Sequence, residues 1–205
     1  MRKSRQVLMD QTGWQVEPVP ALIGFSQFFG MLSKATFPAA SFIRGREDFD
    51  YIEEPDIFHE IYGHTPLLTD PRFAKFSQKI GETGTKCDKS EYSWLIRLYW
   101  FTVEFGLIRE GHEIKALGSG LASSPGELDH SINEPTVVRK PFDIIDILRT
   151  PYRIDINQPI YFVLENVDQL LEAAERDLVT DIRHAKALGL HAPSYPLKNK
   201  GEQIQ

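Results

Sequence analysis

The chain has 205 residues, 41% hydrophobic and 25% charged, with a net charge of −6 from 23 basic and 29 acidic residues. That mixture excludes bulk disorder and low-complexity scaffolds, and the length allows one core burying roughly 70% of the unfolded surface. The single cysteine, Cys87, excludes an intramolecular disulfide and any cysteine cluster for a metal, and fits a reducing, cytoplasmic compartment.

The acidic balance argues against nucleic acid as a partner, and no apolar run approaches the ~20 residues of a membrane span. Met1-Arg2-Lys3-Ser4-Arg5 carries the charge of a signal-peptide start, but no apolar core follows it. Thr12–Pro20 reads as extended, and Ser26–Leu32 as a short helix capped by Ser26. Phe37-Pro38 and Arg44–Asp50 are loop-like. Pro55-Asp56 opens a helix through Ile57, Phe58 and Ile61, which Gly63 and Pro66 should end early.

Thr69-Asp70-Pro71 starts a helix with Phe73, Phe76 and Ile80 on one face and Gly81 after it. Ser90 is the expected cap of a longer helix carrying Trp94, Leu95, Leu98, Phe101, Thr102 and Phe105. Glu113–Leu117 reads as a strand and Gly118-Ser119-Gly120 as a turn. Ser124-Pro125-Gly126-Glu127 has the form of a capping box before a helix. Phe142–Leu148 reads as a short helix, Tyr152–Ile156 and Ile160–Leu164 as strands, and Asp168–Leu188 as one amphipathic helix closed by Gly189. With no repeat and no linker-like tract, the expectation is one domain, 1–205, in a predominantly helical α+β fold with a few short strands.

The chemistry concentrates in Asp56-Ile57-Phe58-His59-Glu60-Ile61-Tyr62-Gly63-His64. The H-E-x-x-H zinc motif places its histidines four apart, about 40° around an α-helix. Here they are five apart, about 140° around, so they cannot converge from one straight α-helix. Convergence requires His64 to leave the helix, and Gly63 and Pro66 are the expected break. Glu104, a carboxylate in the apolar run Trp100-Phe101-Thr102-Val103-Glu104-Phe105, is the candidate third ligand, because burying it unpaired is costly. Two imidazoles and one carboxylate form a facial triad suited to non-haem Fe(II) and oxygen chemistry. Outside such a cluster, a buried His is usually a hydrogen-bonded core residue, and Glu60 reads equally as a general base or a solvated helix residue.

Pro55 to Leu68, with its Asp-Ile-Phe-His-Glu-Ile-Tyr-Gly-His core, resembles the iron-binding segment of the pterin-dependent aromatic amino acid hydroxylases. Tyr99 to Leu107 resembles the segment holding their third ligand. Phe42-Ile43-Arg44-Gly45, Ile114-Lys115-Ala116-x-Gly118-x-Gly120-Leu121-x-Ser123-Ser124 and Gln158-Pro159 match further blocks in order, so the likeness runs from about Thr12 to Leu164.

The resemblance implies Fe(II) held by His59, His64 and Glu104, with a tetrahydropterin (tetrahydrobiopterin or a relative) and O2 as cosubstrates. It implies that Ser123 orients an iron-ligating His and that Arg44 pairs with the carboxylate of an aromatic amino acid. Pro55 and Trp100 would wall the substrate ring, with Tyr51 nearby. Phe28 would stack on the pterin, supported by Ala21 and Ile23 of the Ala21–Phe25 loop, and Glu60 would lie near pterin and oxygen. Ala21, Phe25 and Ile52 differ from the animal enzymes.

Trp100 resembles the phenylalanine and tyrosine enzymes, Ile154 stands where tyrosine hydroxylases place an Asp, and the Tyr152–Ile156 block is most like the bacterial phenylalanine 4-hydroxylases. The implied reaction is hydroxylation of L-phenylalanine to L-tyrosine; the sequence does not reveal the oligomeric state. Members of this family carry a longer stretch ahead of the first matching block, so the chain is expected to lack part of the N-terminal side of the catalytic domain. Two rival readings are a shortened, non-catalytic metal-binding relative and a zinc metallohydrolase with Glu60 as base.

Overall fold

The computed structural model describes residues 2–20, 22–46 and 54–195. Helix α1 (Arg2–Thr12), which the charged start did not announce, leads into strand β1 (Gln15–Val19). The Thr12 hydroxyl donates to the Leu68 carbonyl at 2.9 Å, and Leu8 and Trp14 are buried, which ties this end to the core. Helix α2 (Phe25–Leu32) then crosses to strand β2 (Thr36–Ala40), which pairs in parallel with β1 from Gln15 opposite Thr36 to Val19 opposite Ala40. Gly24, in extended backbone, is the N-cap of α2, so the helix starts ahead of the expected cap Ser26.

Residues 57–58 open a helix that passes without interruption through a π-helical segment, His59–His64, into α3 (Thr65–Leu67). The expected break at Gly63 and Pro66 is therefore absent, and the helix widens instead of ending. Asp70 caps α4 (Pro71–Lys86) by accepting from the Arg72 amide at 2.8 Å. This helix runs past Gly81, which has another role: a Cβ there would run into the α2 backbone at Leu32 and Ser33. Asp88, rather than Ser90, forms the next capping box with Glu91, ahead of α5 (Tyr92–Tyr99). Another π-helical segment, Trp100–Glu104, continues α5.

Strands β3 (Leu107–Glu110) and β4 (Glu113–Ala116) form a hairpin across Gly111, at φ +63°. Gly118–Gly120, expected as a turn, instead opens the short helix α6 (Ser119–Ala122). Ser124 caps α7 (Pro125–Asn133) by accepting from the Glu127 amide, but the Glu127 carboxylate accepts from the Gln158 amide and the Tyr161 hydroxyl instead of completing the expected box. Strand β5 (Val138–Pro141), helix α8 (Ile144–Arg149) and strand β6 (Ile160–Leu164) follow, giving a four-stranded sheet of order β4-β3-β6-β5.

Tyr152–Ile156 is not a strand. The carbonyls of Arg153 and Ile156 accept from the Gln158 side-chain amide, at 2.7 and 3.0 Å, rather than from a neighbouring strand. The expected long C-terminal helix is two, α9 (Asp168–Glu175) and α10 (Leu178–Leu188). The chain breaks where Asp177 turns to cap α10, and Gly189, at φ +79°, closes it.

The main core joins α4, α5, α8, α9 and α10 around Phe76, Ile80, Leu95, Leu98, Phe101 and Phe162, all nearly inaccessible. Among the described residues, no helix is long and apolar enough to cross a membrane.

Candidate metal centre and its cavity

The two π-helical segments place the candidate ligands. In a π turn the backbone bonds from residue i to residue i+5, so side chains five apart share one face. The Thr65 amide bonds back to the Glu60 carbonyl, and the Thr65 hydroxyl donates to the same oxygen at 3.0 Å. The Phe105 amide likewise reaches the Trp100 carbonyl at 2.8 Å. The five-residue spacing of His59 and His64 thus becomes a same-face pair within a continuous helix.

Helix α6 is wedged between these two segments. A Cβ on Gly63 would stand 2.8 Å from the Ser119 carbonyl oxygen, and one on Gly118 would run into the Glu104 carbonyl. Both positions need glycine for that close approach.

His59, His64 and Glu104 meet at this junction, each offering one ligand atom within 4.8 Å of the others. The two Nε2 atoms are 2.9 Å apart, and Glu104 Oε1 is 3.1 Å from His64 Nε2. Ser123 gives its one hydroxyl proton to the Ser119 carbonyl at 2.9 Å, so its Oγ accepts from His59 Nδ1–H at 2.7 Å. That fixes the His59 tautomer and leaves the Nε2 lone pair facing His64 and Glu104. Tyr99 Oη stands 3.5 Å from His64 Nδ1 on the outer side.

Burial lowers the His59 pKa to about 4, so this imidazole is neutral and fit to ligate. Burial also opposes charge on His64, but the Glu104 and Glu60 carboxylates raise its pKa above the usual value. Burial works against ionised Glu104 too, yet the facing imidazoles and the Ser119 hydroxyl hold its carboxyl at about 2. An ionised carboxylate and two imidazole nitrogens directed at one point make a donor set for a divalent cation. Metal binding there would displace the proton that otherwise compensates Glu104. The residues fit a ferrous ion held by two nitrogens and one oxygen.

Beside the triad lies a mostly apolar cavity of about 320 Å³, whose wall includes His59, Glu104, Ser123, Arg44, Pro55, Trp100, Phe28, Ile23 and Ile154. The Trp100 ring stacks on Tyr152, with centroids 4.4 Å apart and planes at 18°. Phe28 meets Tyr99 edge-on at 5.4 Å. Arg44 is fixed rather than loose: Nε and Nη2 donate to Asp56 at 3.0 and 2.7 Å, and Nη1 donates to the Ser123 carbonyl at 2.9 Å.

Asp56 is fully buried, and it also accepts from the His59 amide at 2.9 Å. Burial would raise its carboxyl, but the Arg44 hydrogen bonds and charge hold it at about 2. Glu60 is buried behind the cavity wall; its Oε1 accepts from the Ala40 amide at 3.3 Å and its Oε2 is 3.9 Å from His64 Nε2. Burial pushes its carboxyl up to about 7.

Of the residues the sequence singled out, Ala21 and Tyr51 lie outside the described residues, as does Ile52. The others gather around one cavity or directly behind it. Sequence reasoning overlooked Asp56, Tyr99, Tyr152 and Ser119 as site residues. For Asp56 a signal existed, since an Asp after proline at a helix start is a capping residue. Ser119 stood at an unspecified position inside a recognised block.

A family model of biopterin-dependent aromatic amino acid hydroxylases matches residues 1–187, which extends the likeness beyond Thr12 and Leu164 on both sides. Over 195 residues the chain is 50% identical to a phenylalanine-4-hydroxylase of Vibrio cholerae, covering 95% of this chain and 68% of that protein. Over 193 residues it is 47% identical to a phenylalanine-4-hydroxylase of Pseudomonas aeruginosa, covering 94% and 73%. The solved structure of the cold-active phenylalanine hydroxylase of Colwellia psychrerythraea superimposes with a TM-score of 0.92 at 50% identity, covering 96% of this chain and 77% of that one. An iron-type triad at the edge of an aromatic cavity, in a fold shared at that level, places the chain plainly: it belongs to the biopterin-dependent aromatic amino acid hydroxylases.

Proposed function

We propose that this protein hydroxylates the ring of L-phenylalanine to L-tyrosine, using Fe(II), a tetrahydropterin and O2. The observation that carries this reading is the convergence of His59, His64 and Glu104 on one edge of a cavity walled mostly by aromatic and aliphatic side chains. Iron and reduced pterin, when bound, supply the electrons that activate O2.

The chain's own residues bind, orient and exclude water. Ser123 holds His59 in the tautomer whose Nε2 is a ligand atom. Arg44, locked by Asp56 at the cavity wall, is assigned the substrate carboxylate, because a planar fork gives that group direction as well as charge. Pro55 and Trp100 flank the substrate ring, while Phe28 and Ile23 take the pterin face. Glu60 lies behind the triad, near pterin and oxygen. Ile154, apolar and half exposed at the cavity, favours phenylalanine over a ring with a hydroxyl, though an apolar wall discriminates by only about 100-fold. We assign the protein to the cytoplasm, in line with its one cysteine being free and buried.

The test is tyrosine formation by purified protein with Fe(II), tetrahydropterin, O2 and phenylalanine, with tyrosine and tryptophan as competitors. Tyrosine should form only with both iron and pterin present. No product in the complete mixture, or product from metal-stripped protein, overturns the reading.

A further inference from the structure

We propose that Ser119 is a positioning residue for the Glu104 carboxylate: its hydroxyl donates to one carboxylate oxygen and leaves the other to the metal. The proposal rests on the triad being the iron site.

The Ser119 side chain is fully buried at the start of α6. Its Oγ lies 2.9 Å from Glu104 Oε2, 3.0 Å from the Val103 carbonyl and 3.1 Å from His64 Nε2. A hydroxyl has one proton, so it cannot donate to all three. Once His64 Nε2 is directed at a cation, the competition is between Val103 and Glu104. The ionised carboxylate makes the stronger, charge-assisted acceptor.

Oε2 lies 3.4 Å from His59 Nε2, and donation from Ser119 to it leaves Oε1, 3.1 Å from His64 Nε2, as the ligand atom. A carboxylate held this way binds through one oxygen, which keeps the remaining metal positions open. The backbone of the same residue serves the other histidine, since the Ser119 carbonyl takes the Ser123 proton and so sets the His59 tautomer. One short helix, clamped by Gly63 and Gly118, thus orients both a nitrogen and an oxygen ligand.

The experiment compares the parent chain with Ser119→Ala and with Ser119→Thr, which keeps the hydroxyl. Three quantities are measured: the Fe(II) dissociation constant by anaerobic titration, the visible absorption of the Co(II)-loaded protein, and the melting temperature without metal. Groups that orient metal ligands typically carry about 10–100-fold in affinity, and Ser119→Ala should weaken Fe(II) binding in that range. The Co(II) spectrum should also change as the carboxylate is freed to bind through two oxygens, and Ser119→Thr should restore the affinity.

If Ser119 only holds α6 to the Val103 carbonyl, Ser119→Ala lowers the metal-free melting temperature but keeps the parent's dissociation constant and Co(II) spectrum. That result overturns the assignment while leaving the iron site standing. Absence of Fe(II) binding by the parent chain overturns both.

Discussion

Helix α4 and the two π-helical segments are built from similar sequence material and end in different geometries. In α4, Asp70 caps, Pro71 takes the first turn, and Phe73, Phe76 and Ile80 recur at helical spacing on the buried face. Every one of those features is local, and the helix follows them. His59–His64 and Trp100–Glu104 are also uninterrupted helix, but each makes a turn one residue wider. The wider turn has no signature in residue period; it is rare and tends to occur at functional sites. It persists because α6 presses into both segments and because Thr65 caps Glu60 twice. Regular helix thus follows sequence period, whereas ligand-bearing helix follows tertiary contact.

Substitutions can break that contrast. The largest effect is expected at the ligands: His59→Ala, His64→Ala or Glu104→Ala should abolish iron retention and tyrosine formation while far-UV circular dichroism stays that of the parent. Iron content after gel filtration checks this, and a variant that keeps its iron removes that residue from the site.

Next comes the core of the regular helix. Phe76→Ala should cost about 3–5 kcal/mol of stability by opening a cavity, read by urea denaturation. The protein that remains folded should bind Fe(II) as the parent does.

Gly63→Ala is expected to cost less, about 1–3 kcal/mol of overpacking against Ser119, yet to weaken Fe(II) binding because α6 must move. If both glycine and phenylalanine variants bind metal equally well, the π segments are not held by α6.

The smallest effects come from the caps. Asp70→Ala and Thr65→Val should each cost about 1 kcal/mol. Only Thr65→Val should change metal affinity, because only Thr65 closes the wide turn that carries both histidines.

Much of this was legible because much of it is local. The period of Phe73, Phe76 and Ile80, the Ser124 cap and the strand Ile160–Leu164 could be read from single segments. So could the three candidate ligands, since a carboxylate in an apolar run needs a cation or a proton and two histidines stand close together in the sequence. Three of the misreadings share one cause. Gly63, Gly81 and Gly118 are residues that punctuate chains, and here they serve close packing within or between helices. A glycine in sequence does not say whether it ends an element or admits a neighbour.

The sequence by itself determined the start and buried face of α4, the candidate donor set and the family. Only the tertiary structure decided how two histidines five residues apart face one point, and which groups orient them. It also decided that Arg44 is fixed by Asp56 and that Ser119, an unremarked position in a known block, touches Glu104. The physical reason is that ligand convergence and hydrogen-bond direction depend on distances between elements far apart in the chain, and residue order encodes those only through the packed core.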